Sequence, residues 1–248
     1  PLDGRYQNKV ESLRSYCSEY ALIHFRVQVE IEWLKALSAE NEIREVPVFS
    51  DSTLSQLDDL VLHFSVENSE AVKAIEKETN HDVKAIEYWL KAQLADNEEV
   101  SNVTEFIHFA CTSEDINNLS YALMLKQARS EAVKPAIQNI INILADMSIE
   151  MADTPMMCKT HGQPASPSTM GKELANVVFR LKYQLKQLES ITLFGKLNGA
   201  VGNFNAHYSA YPELDWPQIS ESFINDLGLT FHPFTTQIEP HDFVAELC

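Results

Sequence analysis

Residues 171–189 read GKELANVVFRLKYQLKQLE. Leu174, Val177, Val178, Leu181, Leu185 and Leu188 fall at offsets 0, 3, 4, 7, 11 and 14, one stripe of a 3.6-residue helix, with Lys172, Arg180, Lys182 and Lys186 off it. The pattern predicts a bundle helix. Ser166 is its expected N-cap and Pro167 its first helical residue, where a missing N–H sacrifices no intrahelical bond. Upstream, a second long helical segment is expected from about Asp115 to Met151, with Ile137, Ile140, Ile141, Leu144 and Met147 on one face and Pro135 kinking or interrupting it. Helices are also expected over Tyr20–Ala39, Asp51–Ser65 and Ser69–Leu94.

The punctuation of the chain agrees. No glycine occurs between Gly4 and Gly162, and no proline between Pro47 and Pro135. Sheets with tight turns draw heavily on both residues, whereas long helices joined by few turns do not. The expected fold class is therefore all-α, with little or no sheet. The polar run Asp96–Asn102 suggests a boundary between an N-terminal helical domain, 1–101, and the first part of a long-helix bundle, 102–248.

The 248 residues carry 19 Lys plus Arg against 36 Asp plus Glu, a net charge of −17. Such a balance argues against a nucleic-acid or anionic-membrane partner, whose affinity comes from basic patches. No apolar run approaches the roughly 18 residues of a membrane span, and the polar start is unlike a signal peptide. A cytoplasmic setting is expected. Cys17, Cys111, Cys158 and Cys248 are far apart without CxxC spacing, which suggests reduced thiols rather than disulfides or zinc. The absence of an initiator Met and the end at Cys248 suggest a partial chain.

Three segments are too polar for the helices around them. Thr79–Asp82 places an imidazole beside an amide and a carboxylate; His81 reads equally well as a solvated helix residue. Phe109–Asn118 stacks hydroxyls ahead of a helix, where Thr112 and Asp115 also fit a capping box. Lys159–Pro167 offers a cation, an imidazole and an amide in a loop stiffened by two prolines, with His161 beside a permissive Gly162. Gly195–Asn203 has neither the GxxxxGK[ST] nor the GxGxxG spacing and reads as a flexible turn between helices. His207, His232 and His241 lack metal-ligand spacing, so no metal site is expected.

In order along the chain, Asp3-Gly4-Arg5-Tyr6, Asn80-His81-Asp82-Val83-Lys84-Ala85, His108–Asn118, Thr160-His161-Gly162-Gln163-Pro164-Ala165, Gly199-Ala200-Val201-Gly202-Asn203 and Thr235–Asp242 resemble the adenylosuccinate lyases, a branch of the fumarase/aspartase superfamily. The resemblance implies an all-α homotetramer with active sites shared between subunits. It also implies a lyase of purine biosynthesis that eliminates fumarate from adenylosuccinate to give AMP, and from succinyl-carboxamide imidazole ribotide, without a cofactor. By resemblance His161 is the general acid and His81, with Asn80 and Asp82, orients the substrate. Thr112 and Ser113 would bind its succinyl carboxylates, Arg5 and Tyr6 its nucleotide end, and Gln237 would also contact it, with His108 in a supporting role.

The family's serine-containing base loop has no counterpart within residues 1–248, which are therefore expected to hold the acid half of the site and to be inactive alone. Two alternatives stand beside this reading. Another superfamily lyase, of argininosuccinate lyase or aspartase type, would share the helices; a non-catalytic helical scaffold would need none of Arg5, His81, Thr112, Ser113, His161 or Gln237.

Overall fold

A computed structural model describes residues 4–248. The Asp3 position of the first motif lies outside the described residues. By compactness the chain forms two units, one of residues up to Lys126 together with Thr192–Phe243, the other of Gln127–Ile191 with Val244–Cys248.

In chain order the elements are α1 (Arg14–Cys17), α2 (Glu19–Ala39), α3 (Asp51–Leu62), α4 (Val66–Thr79), α5 (Asp82–Gln93), α6 (Glu98–Ser101), α7 (Ser113–Gln127) and α8 (Lys134–Glu150). The hairpin β1 (Pro155–Thr160) and β2 (Gln163–Thr169) precedes α9 (Met170–Ser190). The chain continues through β3 (Phe194–Gly195), α10 (Asn205–Ala210), α11 (Trp216–Asp226), β4 (Thr230–Phe231) and α12 (Asp242–Leu247). Helix dominates as expected, and among the described residues the sheet is limited to the hairpin and the two-residue parallel pair β3–β4.

In the first unit α2 is the core helix. Ala21, Ile23, Phe25, Val27, Val29, Ile31, Trp33, Leu34 and Leu37 are buried around most of its circumference, and a stripe that includes Gln28, Glu32 and Lys35 is partly exposed. Ser18 caps it, its side chain accepting from the Ala21 N–H at 3.1 Å. Trp33 meets Phe223 of α11 edge to face at 5.1 Å, and Phe64 meets Trp89 of α5 at 5.3 Å. The segment expected as one helix over Ser69–Leu94 is two. Asn80 takes a left-handed conformation (φ 54°) that ends α4, and His81 starts α5 as its N-cap.

The same aromatic core encloses His207, whose ring sits 4.9 Å from Trp216 and 5.4 Å from Phe204. It is fully buried, and neither ring nitrogen has a hydrogen-bond partner among the described residues. Burial is the main cause that pushes its pKa down to about 4, with Lys196 adding to the effect and Asp115 opposing it. A histidine depressed in the folded state contributes stability that is present above the unfolded value near 6.5 and is lost as pH falls toward 4. The loss amounts to about 3 kcal/mol. A His207→Leu variant should show a flatter urea midpoint between pH 6.5 and 4 than the wild type. Parallel curves for the two proteins would contradict this.

In the second unit α8 packs on α9 through Ile141, Val178 and Leu185, flanked by Ile137, Leu144, Leu181 and Leu188. The α-helical pattern upstream of α8 gives way to a π-helical stretch at Ala128–Val133, and Pro135 sits in the first turn of α8. The expected start of α9 needs correction. Residues Gln163–Thr169 are strand, and Thr169 rather than Ser166 is the cap, accepting from the Lys172 N–H at 3.2 Å. Antiparallel pairing of Pro155 with Thr169, Met157 with Pro167 and Thr160 with Gln163 claims the segment, and the prolines are tolerated because both strands of a ribbon are edges. Ile140, Ile143, Ile149, Val177, Phe179 and Tyr183 remain exposed.

Candidate active site

His81 owes its place to helix capping. Its Nδ1 accepts the Lys84 N–H at 3.1 Å, a bond that needs a lone pair on Nδ1 and therefore puts the neutral ring's proton on Nε2. The exposed imidazole thus offers a donor. Asp82, in the first turn of α5, is held by Arg26 of α2, Nη2 to Oδ2 at 2.6 Å. Partial burial raises the Asp82 carboxyl, but the Arg26 charge and the Val83 N–H outweigh it and hold the pKa below the usual value.

Thr112 and Ser113 begin α7, where uncompensated N–H groups and the helix dipole favour anions. Half of the expected capping box forms: the Thr112 N–H donates to Asp115 Oδ2 at 2.8 Å. The same carboxylate does far more. Its Oδ1 accepts the Asn198 N–H at 3.0 Å, its Oδ2 accepts the Gly199 N–H at 3.1 Å, and Lys196 Nζ lies 2.9 Å from Oδ1 with both side chains fully buried. Lys196 Nζ also donates to Gly199 O at 2.9 Å, and Asn118 pairs with the Lys196 backbone through both side-chain atoms, at 2.8 and 3.0 Å.

Gly195–Asn203 is therefore not the flexible turn its composition suggests. Lys196, Leu197 and Asn198 are completely buried. Gly202, at φ 80°, lies so close to the 235–236 backbone that a Cβ would sit 2.3 Å from Thr235 O. Asn198 Nδ2 donates to Thr235 Oγ1 at 2.8 Å, which fixes the segment leading to the exposed Gln237. One buried carboxylate thus links the Thr112–Ser113 turn, the Gly199 loop and the approach to Gln237.

His108, in a left-handed conformation (φ 65°), meets Glu30 of α2, Nδ1 to Oε1 at 2.6 Å. Burial pulls the imidazole down, and the Glu30 hydrogen bond and charge more than offset it, so His108 stands above the ordinary histidine value. Next to it, burial pushes the Cys111 thiol well up, which leaves it a poor nucleophile. His241 lies between Glu114 and Glu239, at 3.4 and 3.3 Å.

Arg5 and Tyr6 are exposed, with the guanidinium 5.6 Å from the ring centre, and neither hydrogen-bonds to this cluster among the described residues. His161 belongs to the second unit. With Gly162 it makes the two-residue turn between β1 and β2, both at positive φ (51° and 76°), the geometry of a type I′ hairpin. The imidazole is exposed at the tip.

Arg26, Glu30 and Lys196 were absent from the expected site. The signal for the first two was available: a cation and a carboxylate four residues apart, in a helix whose neighbouring positions are almost all apolar, must find internal partners.

The lyase family profile matches residues 4–248. The chain belongs to the lyase family. Among lyases it is 54% identical over 247 residues to the adenylosuccinate lyase of Escherichia coli strain K12, covering 100% of this chain and 54% of that protein. It is 54% identical over 246 residues to the adenylosuccinate lyase of Haemophilus influenzae, covering 99% and 54%. The chain thus spans about half the length of the curated relatives it matches. The crystal structure of a fumarate lyase from Mesorhizobium sp. BNC1 matches 99% of this chain and 54% of its own with a TM-score of 0.74 at 21% identity, a likeness of fold.

Proposed function

We propose that the full-length protein eliminates fumarate from adenylosuccinate to give AMP, and from succinyl-carboxamide imidazole ribotide. The observation that carries this is the 54% identity, over the whole of this chain, to proteins named adenylosuccinate lyase. The chemistry of the described residues supports it. Breaking a C–N bond beside a carboxylate needs a base for the carbon-bound proton, donors for the charge that grows on the carboxylate, and an acid for the departing nitrogen.

In this reading His161 is the acid. His81 orients the substrate through Nε2–H with Asn80 and Asp82 beside it, and the start of α7 presents Thr112 and Ser113 to the succinyl carboxylates. Gln237 contacts the substrate, Arg5 and Tyr6 take the nucleotide end, and the base comes from a serine-containing segment outside residues 1–248. The reaction is an acid–base elimination and calls for no cofactor. The protein works as a cytoplasmic homotetramer with shared sites, and the exposed apolar side chains of α8 and α9 give such an assembly a surface to bury. No helix among the described residues is long and apolar enough to cross a membrane.

The test is fumarate release by the full-length protein from a panel of adenylosuccinate, the imidazole ribotide, argininosuccinate and aspartate. Release from the first two is expected. Release only from argininosuccinate or aspartate would replace this reading with the alternative lyase, and no release with no binding of AMP would favour the scaffold.

A further inference from the structure

Arg26 points inward from the most enclosed helix of the first unit, its side chain 6% exposed. Its guanidinium makes two charge-assisted hydrogen bonds to two different segments: Nη2 to Asp82 Oδ2 at 2.6 Å and Nε to Asn117 Oδ1 at 2.8 Å. One turn further along α2, Glu30 holds His108 at 2.6 Å, and Trp33 Nε1 donates to Phe109 O at 3.1 Å. Three side chains on one face of a single helix therefore grip residues 82, 108–109 and 117.

Stability is a poor explanation for the cation. Burying a guanidinium forfeits much of its hydration, and an apolar side chain of similar size would fill the space without that cost. Asp82 is 46% exposed at a helix N-terminus, so water and the helix dipole could satisfy it without Arg26. What the pair adds is position: it fixes the start of α5, and with it His81, against the start of α7.

We propose that Arg26 is a positioning residue for the elimination, setting the His81–Asp82 turn at a fixed offset from the Thr112–Ser113 turn by tethering Asp82 and Asn117 to one rigid helix. This rests on the functional reading given above. A misplacement of about 1 Å between groups that hold one substrate is enough to cost about 100-fold in rate. Lysine carries the charge but not the two-pronged planar geometry, so it can serve one partner but not both.

The experiment compares full-length wild type, Arg26→Met and Arg26→Lys in adenylosuccinate turnover, thermal melting and histidine-ring ¹³C NMR. The His81 resonance is assigned with His81→Gln. In Arg26→Met, kcat/KM per folded enzyme should fall about 100-fold through both kcat and KM while the melting temperature stays close to wild type. Arg26→Lys should fall between them. The His81 ring resonance of the ligand-free protein should move in Arg26→Met, because Asp82 Oδ1 lies 3.8 Å from His81 Nδ1.

If Arg26→Met does not fold, Asn117→Leu removes only the tether to α7 and should lower kcat/KM about tenfold. Activity per folded enzyme within about threefold of wild type in the folded variant would overturn the proposal, as would losses that merely track the melting temperature. Absence of fumarate from the wild type would instead sink the functional reading. The positioning claim is then decided by the His81 resonance, which an idle Arg26 would leave unmoved.

Discussion

Replacing His161 by asparagine in the full-length protein is expected to lower fumarate release from adenylosuccinate by about 100-fold or more, the usual scale for a positioned general acid. The choice of asparagine follows from the backbone. His161 is a non-glycine residue at φ 51°, and asparagine is among the few side chains that accept this region readily. The type I′ turn should therefore survive, and the loss can be assigned to the proton donor rather than to a collapsed hairpin. Substrate affinity should fall less than turnover, since an acid acts on the departing nitrogen in the transition state.

His81 makes the opposite case. Its alanine variant loses both the proposed substrate contact and the cap on the Lys84 N–H, the latter worth about 1 kcal/mol, and should damage kcat and KM together. His81→Asn keeps a capping oxygen and so separates the two effects. Near-normal turnover by His161→Asn across the pH range would remove His161 from the acid role.

The largest expected loss of stability belongs to Lys196→Met, about 3–5 kcal/mol, because it strands the Asp115 carboxylate where neither side chain touches solvent. Three backbone N–H groups would still point at that charge, those of Thr112, Asn198 and Gly199, but none neutralises it. Adding Asp115→Asn should recover part of the loss, since a neutral amide keeps an acceptor for some of those donors and buries no net charge. The check is the urea midpoint of the three proteins at neutral pH. A Lys196→Met protein that unfolds at the wild-type urea concentration would show that the pair is dispensable, and with it the buried link between the Thr112 turn and the Gly199 loop.

The helices were legible because their signal is local. The stripe Leu174–Leu188 fixes the face of α9, and the absence of glycine from 5 to 161 excludes a fold built on tight turns. The break at Asn80 was also written locally, as a residue tolerant of left-handed backbone followed by a capping histidine, but it lay inside a periodic run that reads straight through it. The hairpin was not legible. Ser166 followed by Pro167 satisfies every short-range rule for a helix start, and only register with Pro155–Thr160 makes that stretch a strand.

The site divides the same way. Histidines and hydroxyls in polar segments announce themselves, whereas Asp115 and Lys196 lie far apart in sequence and each has a sufficient local reading, one as a capping box and the other as a turn. Their partnership is created only by folding. Arg26 and Glu30 sit in between: the sequence says that they must be paired internally, and the fold says with what.

The hairpin that carries His161 is a ribbon of two strands with no third strand beside it among the described residues, and such ribbons are only marginally stable by themselves. The α2 helix, buried around most of its circumference, stands at the opposite extreme. Local opening free energies should follow that contrast, so amide hydrogens of β1 and β2 exchange with solvent through small fluctuations, while those of α2 wait for global unfolding. Heat would then undo the hairpin that carries the proposed proton donor while the α2 core is still closed, and the temperature at which the proposed activity fails would lie below the temperature at which the molecule melts.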